Sequence, residues 1–412
     1  MAEASYHQKG FGLKAAVQDH LTADYHSRLI EEISRQGFVH RSGRLTFRLA
    51  QAFGFCYGVD RTVQYAYETR QRFPDRSIYI TSEIIHNPHV NERLIDMGMH
   101  FLSGRYRGTR GWDDVTAEDV VIIPAFGATV AEMERLKDKK CTLVDTTCGS
   151  VLNVWKNVER YAKRGVTSII HGKHFHEETQ ATMSRVTAYP GAHFLVVLDL
   201  EEAEVVCRYI REGGDPSTGS GLSREAFLEK FAPAVSAGFD PDLHLRRAGL
   251  ANQTTMLSQE SMAIAGKIRE ALVARWGEGE IADRFVNFDT ICSATQERQD
   301  AVLSLLETPP DLMIVIGGYN SSNTTHLVEI PLAQGVAAFH IDDAKRIVDL
   351  NRIRHKPPDR KEEIETEGWL PEGDLVVGLT AGASTPNSKI GEVIERLEAL
   401  LGAGAEKPVG VH

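Results

Sequence analysis

Three cysteines in this chain stand at the same kind of position, one that suits metal-binding or reactive thiolates. Cys56, Cys148 and Cys292 each follow an apolar, strand-like stretch and precede a helix-like stretch. In parallel α/β units, ligand sites gather at the carboxyl ends of the strands. A helix N-terminus also stabilises the negative charge of a thiolate. The spacing therefore predicts three thiolates that face a cleft.

The chemistry of these thiolates depends on whether the fold brings them together. If it does, they suit an iron–sulfur cluster with one iron open to a substrate, or a zinc ion with water as its fourth ligand. If it does not, they are unrelated cysteines at the starts of loops, which the spacing also allows. Cys141 opens a strand and Cys207 lies on the apolar face of a helix, so we expect both to be buried.

The segments that must position these cysteines alternate between strand and helix. Apolar stretches such as "DVVIIPAFG" and "DLMIVIGGYN" are followed by amphipathic stretches such as "ATVAEMERLKDK". This alternation predicts an α/β fold with parallel sheets covered by helices. The wide separations between the three cysteines fit one cysteine from each of three α/β lobes.

The domain organisation that we expect follows from these patterns. The N-terminal extension should be helical, and residues 212–245, rich in Gly, Ser and Pro, should form a surface insertion in the second lobe. The predicted boundaries are a helical extension over 1–43, lobe 1 over 44–140, lobe 2 over 141–280, lobe 3 over 281–402 and a flexible tail over 403–412.

Polar side chains, most of them neutral hydrogen-bond donors or imidazoles, follow the other predicted strands. The residues are His86 in "EIIHNPH", His176 and Glu178 in "HFHEET", Thr254 in "ANQTTM", Ser321, Ser322 and Asn323 in "GGYNSSNTTH", and Ser384 in "TAGASTPNS". Each could simply cap a helix, but together they could hold a phosphate or diphosphate. A buried carboxyl such as that of Glu178 near a metal could donate a proton, although a solvated glutamate in a first helical turn is commoner.

Composition and charge exclude several classes of protein. The net charge of the 412 residues is −11 and no basic face stands out, which argues against nucleic-acid binding. None of the five cysteines forms a C-x-x-C pair, so a zinc ribbon is not expected. No P-loop or G-x-G-x-x-G motif occurs. With no apolar run near the roughly 20 residues of a membrane span and no apolar signal core, we predict a cytoplasmic protein.

Eight motifs, in order, resemble one family. They are "GFCYGVDR", "EIIHN", "VDTTC", "HEETQAT", "NQTT", "ICSATQERQ", "GGYNSSNT" and "TAGAST". From about residue 45 to 400 the chain resembles the LytB/IspH family of 4-hydroxy-3-methylbut-2-enyl diphosphate reductases, in its longer cyanobacterial and plant-like form. The resemblance implies a pseudo-threefold trefoil of three α/β lobes around a central [4Fe–4S] cluster. It also implies that Cys56, Cys148 and Cys292 are the only protein ligands of this cluster.

The resemblance further implies an activity and a set of roles. The substrate hydroxyl would bind the open iron and be removed reductively, giving isopentenyl and dimethylallyl diphosphate in the last step of the non-mevalonate pathway. Glu178 would supply the proton and Thr254 would contact the hydroxyl. The implied diphosphate ligands are His86, His176, Ser321, Ser322, Asn323 and Ser384. Reduced ferredoxin or flavodoxin would be the electron donor, and the protein would be a monomer or a homodimer.

One residue departs from the pattern of many bacterial members, which have a histidine where this chain has Phe126. This departure is shared with the plant-like form and changes only the contacts expected near the diphosphate. Two other iron–sulfur functions stay open at this point. One is a hydro-lyase that transfers no net electrons, and the other is a non-catalytic sensor or electron carrier.

Overall fold

The computed structural model describes residues 5–214, 222–287 and 290–405. Its strands are β1 (Tyr6–His7), β2 (Val39–Ser42), β3 (Leu45–Leu49), β4 (Ile78–Ile80), β5 (Met99–Phe101), β6 (Val120–Ile123), β7 (Thr142–Asp145), β8 (Thr167–His171), β9 (Phe194–Val197), β10 (Ala248–Asn252), β11 (Phe285–Asn287), β12 (Leu312–Ile316), β13 (Ala337–Ile341), β14 (Arg352–His355), β15 (Ile364–Glu367) and β16 (Leu375–Ala381). Its helices are α1 (Lys14–Tyr25), α2 (Arg28–Arg35), α3 (Tyr57–Arg72), α4 (Pro88–Asp96), α5 (Val130–Lys139), α6 (Gly149–Lys163), α7 (Glu177–Thr187), α8 (Leu200–Glu212), α9 (Arg224–Phe231), α10 (Pro241–His244), α11 (Ser258–Trp276), α12 (Ile281–Arg284), α13 (Ser293–Leu306), α14 (Ser322–Ala333) and α15 (Asn387–Ala405).

The first compact unit comprises Met1–His7 and Trp112–Cys292. In it, β1, β7 and β6 lie side by side in parallel. A second parallel sheet has the order β11-β10-β8-β9. Fully buried side chains such as Tyr161, Val206 and Ile268 form the core around this second sheet. Because all these strands run parallel within their sheet, the loops after them emerge at a shared edge.

The second compact unit comprises Gln8–Gly111 and Ser293–His412. Its main sheet has the order β13-β12-β16-β3-β2, and only the edge strand β2 is antiparallel to its neighbour. The parallel pair β4–β5 and the antiparallel pair β14–β15 complete its strand pairings. Phe47, Ile314 and Val377 are fully buried at the centre of the core.

The predicted α/β class with parallel sheets agrees with this architecture, and the predicted burial of two cysteines is confirmed. Cys141 is 1% exposed and Cys207 is fully buried. Burial raises the pKa of the Cys207 thiol to about 12, with smaller contributions from neighbouring charges. Cys207 is therefore an inert apolar side chain. The lobe boundaries remain a prediction. Within the described residues, no helix is both long enough and apolar enough to cross a membrane.

The segments at and near the chain ends differ from the expectations. The N-terminal extension contains two separate helices, α1 and α2, because Ser27 has extended backbone and accepts the Ile30 N–H as the cap of α2. The extension also supplies β1, which pairs with β7, so it is not only helical. Helix α15 runs to Ala405, and the rest of the expected flexible tail lies outside the described residues.

The expected surface insertion 212–245 contributes to the core. Residues 215–221 lie outside the described residues. Phe227 and Phe231 of α9 are fully buried in the core of the second sheet. They are four residues apart, so one face of the helix carries both into the core. Residues 224–231 thus pack one face against the core, while Glu225, Ala226, Glu229 and Lys230 stay exposed. The surface insertion stays a prediction.

Candidate active site

Glu178 and Thr254 form a buried contact at two points in the first unit. Thr254 donates its backbone N–H to Glu178 Oε1 at 2.6 Å and its hydroxyl to Oε2 at 2.9 Å. The side chain of His176 caps α7 by accepting the Glu178 N–H at 3.2 Å, and this fixes the first turn of the helix. Glu178 is 3% exposed. The carboxylate is therefore held in one orientation rather than solvated.

The loop that carries Cys292 is attached to the loop after β10. The Cys292 N–H donates to the carbonyl of Thr254 at 3.3 Å. The Asn252 N–H donates to the hydroxyl of Thr290 at 3.3 Å. Two contacts thus hold Cys292 beside the Glu178–Thr254 pair.

Cys148 follows β7 and occupies the N-cap position of α6, as its place in the sequence predicted, but its side chain makes no capping hydrogen bond. Its N–H donates to the carbonyl of Ala125 at 2.8 Å. Two residues further on, the Ser150 hydroxyl donates to Cys292 Sγ at 3.3 Å. The fold therefore brings the loops of Cys148 and Cys292 together, and both side chains are half-buried. Two soft sulfur donors on neighbouring loops fit an iron–sulfur cluster or a zinc ion.

Gln253 organises the same loops, and we did not single it out from the sequence. Its Oε1 accepts the Lys173 N–H at 3.1 Å and the Thr179 hydroxyl at 3.2 Å. Its Nε2 donates to the Thr255 hydroxyl at 2.8 Å. The residue lies inside the "NQTT" motif, which is the one signal that could have indicated its role. It connects the loop after β8 with the loop after β10.

Phe126 packs against His176, with ring centroids 6.3 Å apart and an edge-to-face geometry. Phe126 is 7% exposed. It therefore supports the imidazole by packing and offers no polar group to a substrate.

In the second unit, the buried side chains of His86 and Glu83 form a polar group with the exposed Asn320. His86 Nδ1 lies 3.0 Å from Glu83 Oε2, and Asn320 Nδ2 donates to the same carboxylate oxygen at 2.7 Å. Burial alone would raise the pKa of Glu83, but the hydrogen bonds from His86 and Asn320 and the charge of Arg105 together lower it. Glu83 is therefore ionised at neutral pH and orients the imidazole of His86.

A hydrogen-bonded chain joins Asn323 to the backbone of Cys56. Asn323 Oδ1 accepts the Ala383 N–H at 2.8 Å, and the carbonyl of Ala383 accepts the Cys56 N–H at 3.0 Å. Asn323 Nδ2 is buried and has no hydrogen-bond partner among the described residues. A buried amide donor that no described residue accepts from fits a site that binds a polar ligand.

Ser321, Ser322 and Ser384 lie around the start of α14. Ser321 caps this helix by accepting the Thr324 N–H at 3.3 Å, and Ser322 is the first helical residue. The Ser384 hydroxyl donates to the carbonyl of His86 at 3.2 Å. Gly318 passes so close to the same carbonyl that a Cβ there would lie 2.3 Å from the oxygen. Only glycine, which has no Cβ, therefore fits at position 318.

Cys56 caps α3 and is half-buried. Its Sγ accepts the Val59 N–H at 3.4 Å, a contact that favours a thiolate. Gly54 precedes it with φ +79°, a conformation that favours glycine. The buried guanidinium of Arg298 donates to the Gly54 carbonyl at 2.6 Å. Arg298 lies in the "ICSATQERQ" motif, but we did not predict its role.

Comparisons with known proteins give a consistent result. The sequence model of the LytB protein family matches residues 47–398. A relative from Gloeobacter violaceus is 51% identical over 100% of this chain and 96% of its own length. One from Thermosynechococcus vestitus is 50% identical over 96% of this chain and 95% of its own length. Both are named 4-hydroxy-3-methylbut-2-enyl diphosphate reductase.

Two solved structures share the fold. One is described as (E)-4-hydroxy-3-methyl-but-2-enyl diphosphate reductase, the terminal enzyme of the non-mevalonate pathway. It has a TM-score of 0.50 and 26% identity, over 85% of this chain and 98% of that chain. The other is the E-1-hydroxy-2-methyl-but-2-enyl-4-diphosphate reductase from Plasmodium falciparum, with a TM-score of 0.60 and 21% identity over 85% of this chain and 86% of that chain. The similarity confirms the predicted fold class.

Proposed function

Because the chain belongs to the LytB protein family, we propose that it reduces 4-hydroxy-3-methylbut-2-enyl diphosphate to isopentenyl and dimethylallyl diphosphate. The reaction consumes two electrons and two protons. It breaks the bond between carbon and the hydroxyl oxygen and releases that oxygen as water. The observation that best supports this chemistry is the buried Glu178–Thr254 contact beside the Cys292 loop.

The reductases of this family are iron–sulfur enzymes, and we assign a [4Fe–4S] cluster to Cys56, Cys148 and Cys292. The Ser150–Cys292 contact supports a shared site for the latter two cysteines, and the capping position of Cys56 supports a thiolate there. When bound, such a cluster would supply the electrons and an iron that polarises the substrate hydroxyl.

Glu178 is the proposed proton donor. Its carboxylate is buried and accepts from Thr254 through both oxygens, so a proton carried by either oxygen would stay near the Thr254 hydroxyl. That hydroxyl keeps an acceptor lone pair for a substrate O–H. Thr254 would thus orient the hydroxyl, while Glu178 would protonate it as it leaves.

The proposed diphosphate ligands are His86, His176, Ser321, Ser322, Asn323 and Ser384. The N-termini of α7 and α14 carry four of them, and helix N-termini stabilise anions without a lysine or arginine. The unpartnered Nδ2 of Asn323 supports a donor role toward a phosphate oxygen. Reduced ferredoxin or flavodoxin as donor, a cytoplasmic location and a monomeric or homodimeric state stay predictions.

Anaerobic turnover of the hydroxy-diphosphate by cluster-loaded protein tests the proposal. We expect both products with a chemical reductant and none without it. Conversion without a reductant would contradict the proposal in favour of a hydro-lyase. If the protein held its full cluster but neither bound the substrate in calorimetry nor converted it, the result would favour a sensor or an electron carrier.

A further inference from the structure

A second concave site lies in the first unit, at the amino ends of the strands in the β11-β10-β8-β9 sheet. The predicted catalytic residues lie at the opposite, carboxyl ends of these strands. Glu178, Thr254 and Cys292 follow the carboxyl ends of these parallel strands, whereas the cavity is lined by residues at or before their amino ends. The five-residue strands β8 and β10 separate the two ends of the sheet by about 16 Å. The cavity has a volume of about 230 Å³.

Positive charge is concentrated in this cavity. Arg246, Arg247 and Arg284 line it, and none of its lining residues is acidic. Arg284 is paired with Glu280 at 3.1 Å. Within the part of the chain that the structure describes, Arg246 and Arg247 have no carboxylate partner. In a chain of net charge −11, such a group attracts anions locally.

The two arginines are held by backbone carbonyls, and this leaves donors for a ligand. Arg247 donates through Nε to the carbonyl of Asp283 and through Nη1 to that of Arg164, both at 3.0 Å. Arg246 donates through Nε to the carbonyl of Asp242 at 2.8 Å. Guanidinium groups fixed in this way suit the oxygen atoms of a phosphate, which they bind through two parallel hydrogen bonds.

Two stacked imidazoles form another part of the wall. The rings of His193 and His244 are parallel within 19° and 3.6 Å apart. His244 Nδ1 accepts the Asp240 N–H at 2.8 Å, so the proton of the neutral ring lies on Nε2 and that nitrogen is a donor. Burial lowers the pKa of both histidines. Both therefore serve as neutral hydrogen-bonding groups at pH 7.

We propose that this cavity is a second anion site, which binds a small phosphate or diphosphate, free or as an ester, apart from the catalytic site. The arginines supply charge and paired donors, and His244 adds a neutral donor. The volume is below the usual range for drug-sized ligands, which favours a compact anionic head group. The exposed side of the cavity would leave room for the organic part of an ester.

Calorimetric titration of inorganic pyrophosphate into cluster-loaded protein tests this proposal. We expect two sites per chain, one of them the proposed catalytic diphosphate site. The single variant Arg246→Gln and the double variant Arg246→Gln/Arg247→Gln should weaken the second site about tenfold or more, because each loses donors to a charged ligand. The single variant keeps the carbonyl contacts of Arg247, so it tests binding even if the double variant misfolds.

The matched control is Arg208→Gln, which removes an exposed arginine of α8 in the same unit. It should bind like the wild type. Asn323→Asp should weaken the catalytic site and retain the second site, which separates the two. A parallel titration with dimethylallyl diphosphate shows whether the second site prefers an ester or the free anion, because the preferred ligand binds it more tightly. The proposal would be overturned if a folded Arg246→Gln/Arg247→Gln variant still bound pyrophosphate at two sites with unchanged affinity. It would also be overturned if the wild type had a single site and Asn323→Asp abolished it.

Discussion

The carboxylate of Glu178 holds Thr254 at two points, the backbone N–H at 2.6 Å and the hydroxyl at 2.9 Å. The carbonyl of the same threonine accepts the N–H of Cys292. One peptide segment is thus bound both to the proposed proton donor and to a proposed cluster ligand. A substrate hydroxyl that contacts Thr254 would therefore lie within reach of the acid that it needs.

Replacing Glu178 by Gln should separate binding from chemistry. The amide keeps the shape and can still bond Thr254, but it cannot donate a carboxylic proton. We expect kcat to fall about 10²-fold or more, while the affinity for substrate stays close to that of the wild type. Anaerobic kinetics and calorimetry measure the two quantities. Glu201→Gln, in the first turn of α8, is the control, and near-normal kcat in Glu178→Gln would remove the acid role.

Thr254→Val should remove the hydroxyl and leave the backbone N–H in place. One oxygen of the buried Glu178 carboxylate would lose its donor, and the substrate hydroxyl would lose its contact. We expect kcat/KM to fall about 10- to 100-fold, as for the loss of one hydrogen bond to a charged group. Thr254→Ser should restore most of the rate. Equal rates for the valine and serine variants would show that the hydroxyl has no role.

Cys292→Ser should lower the iron bound per chain and the visible absorbance of anaerobically prepared protein, because serine is a poor ligand for a cluster that prefers thiolates. Ser150→Ala should keep the iron but shift the reduction potential of the cluster, since hydrogen bonds to sulfur tune it. Cys207→Ala, which changes a buried cysteine of the core, is the control for iron content. Full cluster content in Cys292→Ser would contradict the assignment of this ligand.

Asn323→Asp should impair diphosphate binding without affecting the cluster. The Oδ1 that accepts the Ala383 N–H is retained, so the connection to Cys56 remains. The unpartnered amide donor becomes a carboxylate oxygen, which repels a phosphate. We expect KM to rise about 100-fold from a lost donor and an added repulsion. Unaltered KM at normal iron content would remove Asn323 from the diphosphate site.

His340 should make the second unit sensitive to acid. It donates through Nε2 to the carbonyl of Gly317, just before the Asn320–Asn323 loop. Burial lowers its pKa from 6.5 to about 4, and the hydrogen bond to Gly317 offsets only part of this shift. The unfolded chain therefore binds a proton that the folded chain excludes between pH 6.5 and 4. The free energy of unfolding therefore keeps its full value above pH 6.5 and falls by about 3 kcal/mol as the pH drops through this window.

Urea denaturation at pH 7, 5.5 and 4, followed by circular dichroism, measures this effect. His340→Gln keeps an amide donor for Gly317 but cannot titrate, so its stability should depend less on pH across that window. His26→Gln, which changes an exposed histidine in the same unit, should behave like the wild type. The same pH dependence in His340→Gln and the wild type would contradict the assignment.

The sequence could predict the positions of the cysteines because local patterns determine them. A strand followed by a helix start placed Cys56 and Cys148 at the caps where the structure has them. The roles of Gln253 and Arg298 could not be predicted in this way. Arg298 meets the carbonyl of Gly54, 244 residues away along the chain, and periodicity within a segment carries no information on such a contact.

Burial in the 212–245 segment was missed for a related reason. Glycine, serine and proline dominate its first part, and this composition masked the apolar pair Phe227 and Phe231 further on. The break between α1 and α2 has a local signal, Ser27 as the cap of α2, which the helical periodicity on both sides obscured.

The number of electrons consumed per molecule of substrate tests the central claim most directly. Cluster-loaded protein is titrated anaerobically with a reductant of known concentration in the presence of 4-hydroxy-3-methylbut-2-enyl diphosphate, and the products are quantified. The proposed reaction predicts two electrons for each molecule of isopentenyl or dimethylallyl diphosphate formed. Conversion of the substrate with no electrons consumed, or no conversion by fully loaded and reduced protein, would contradict it.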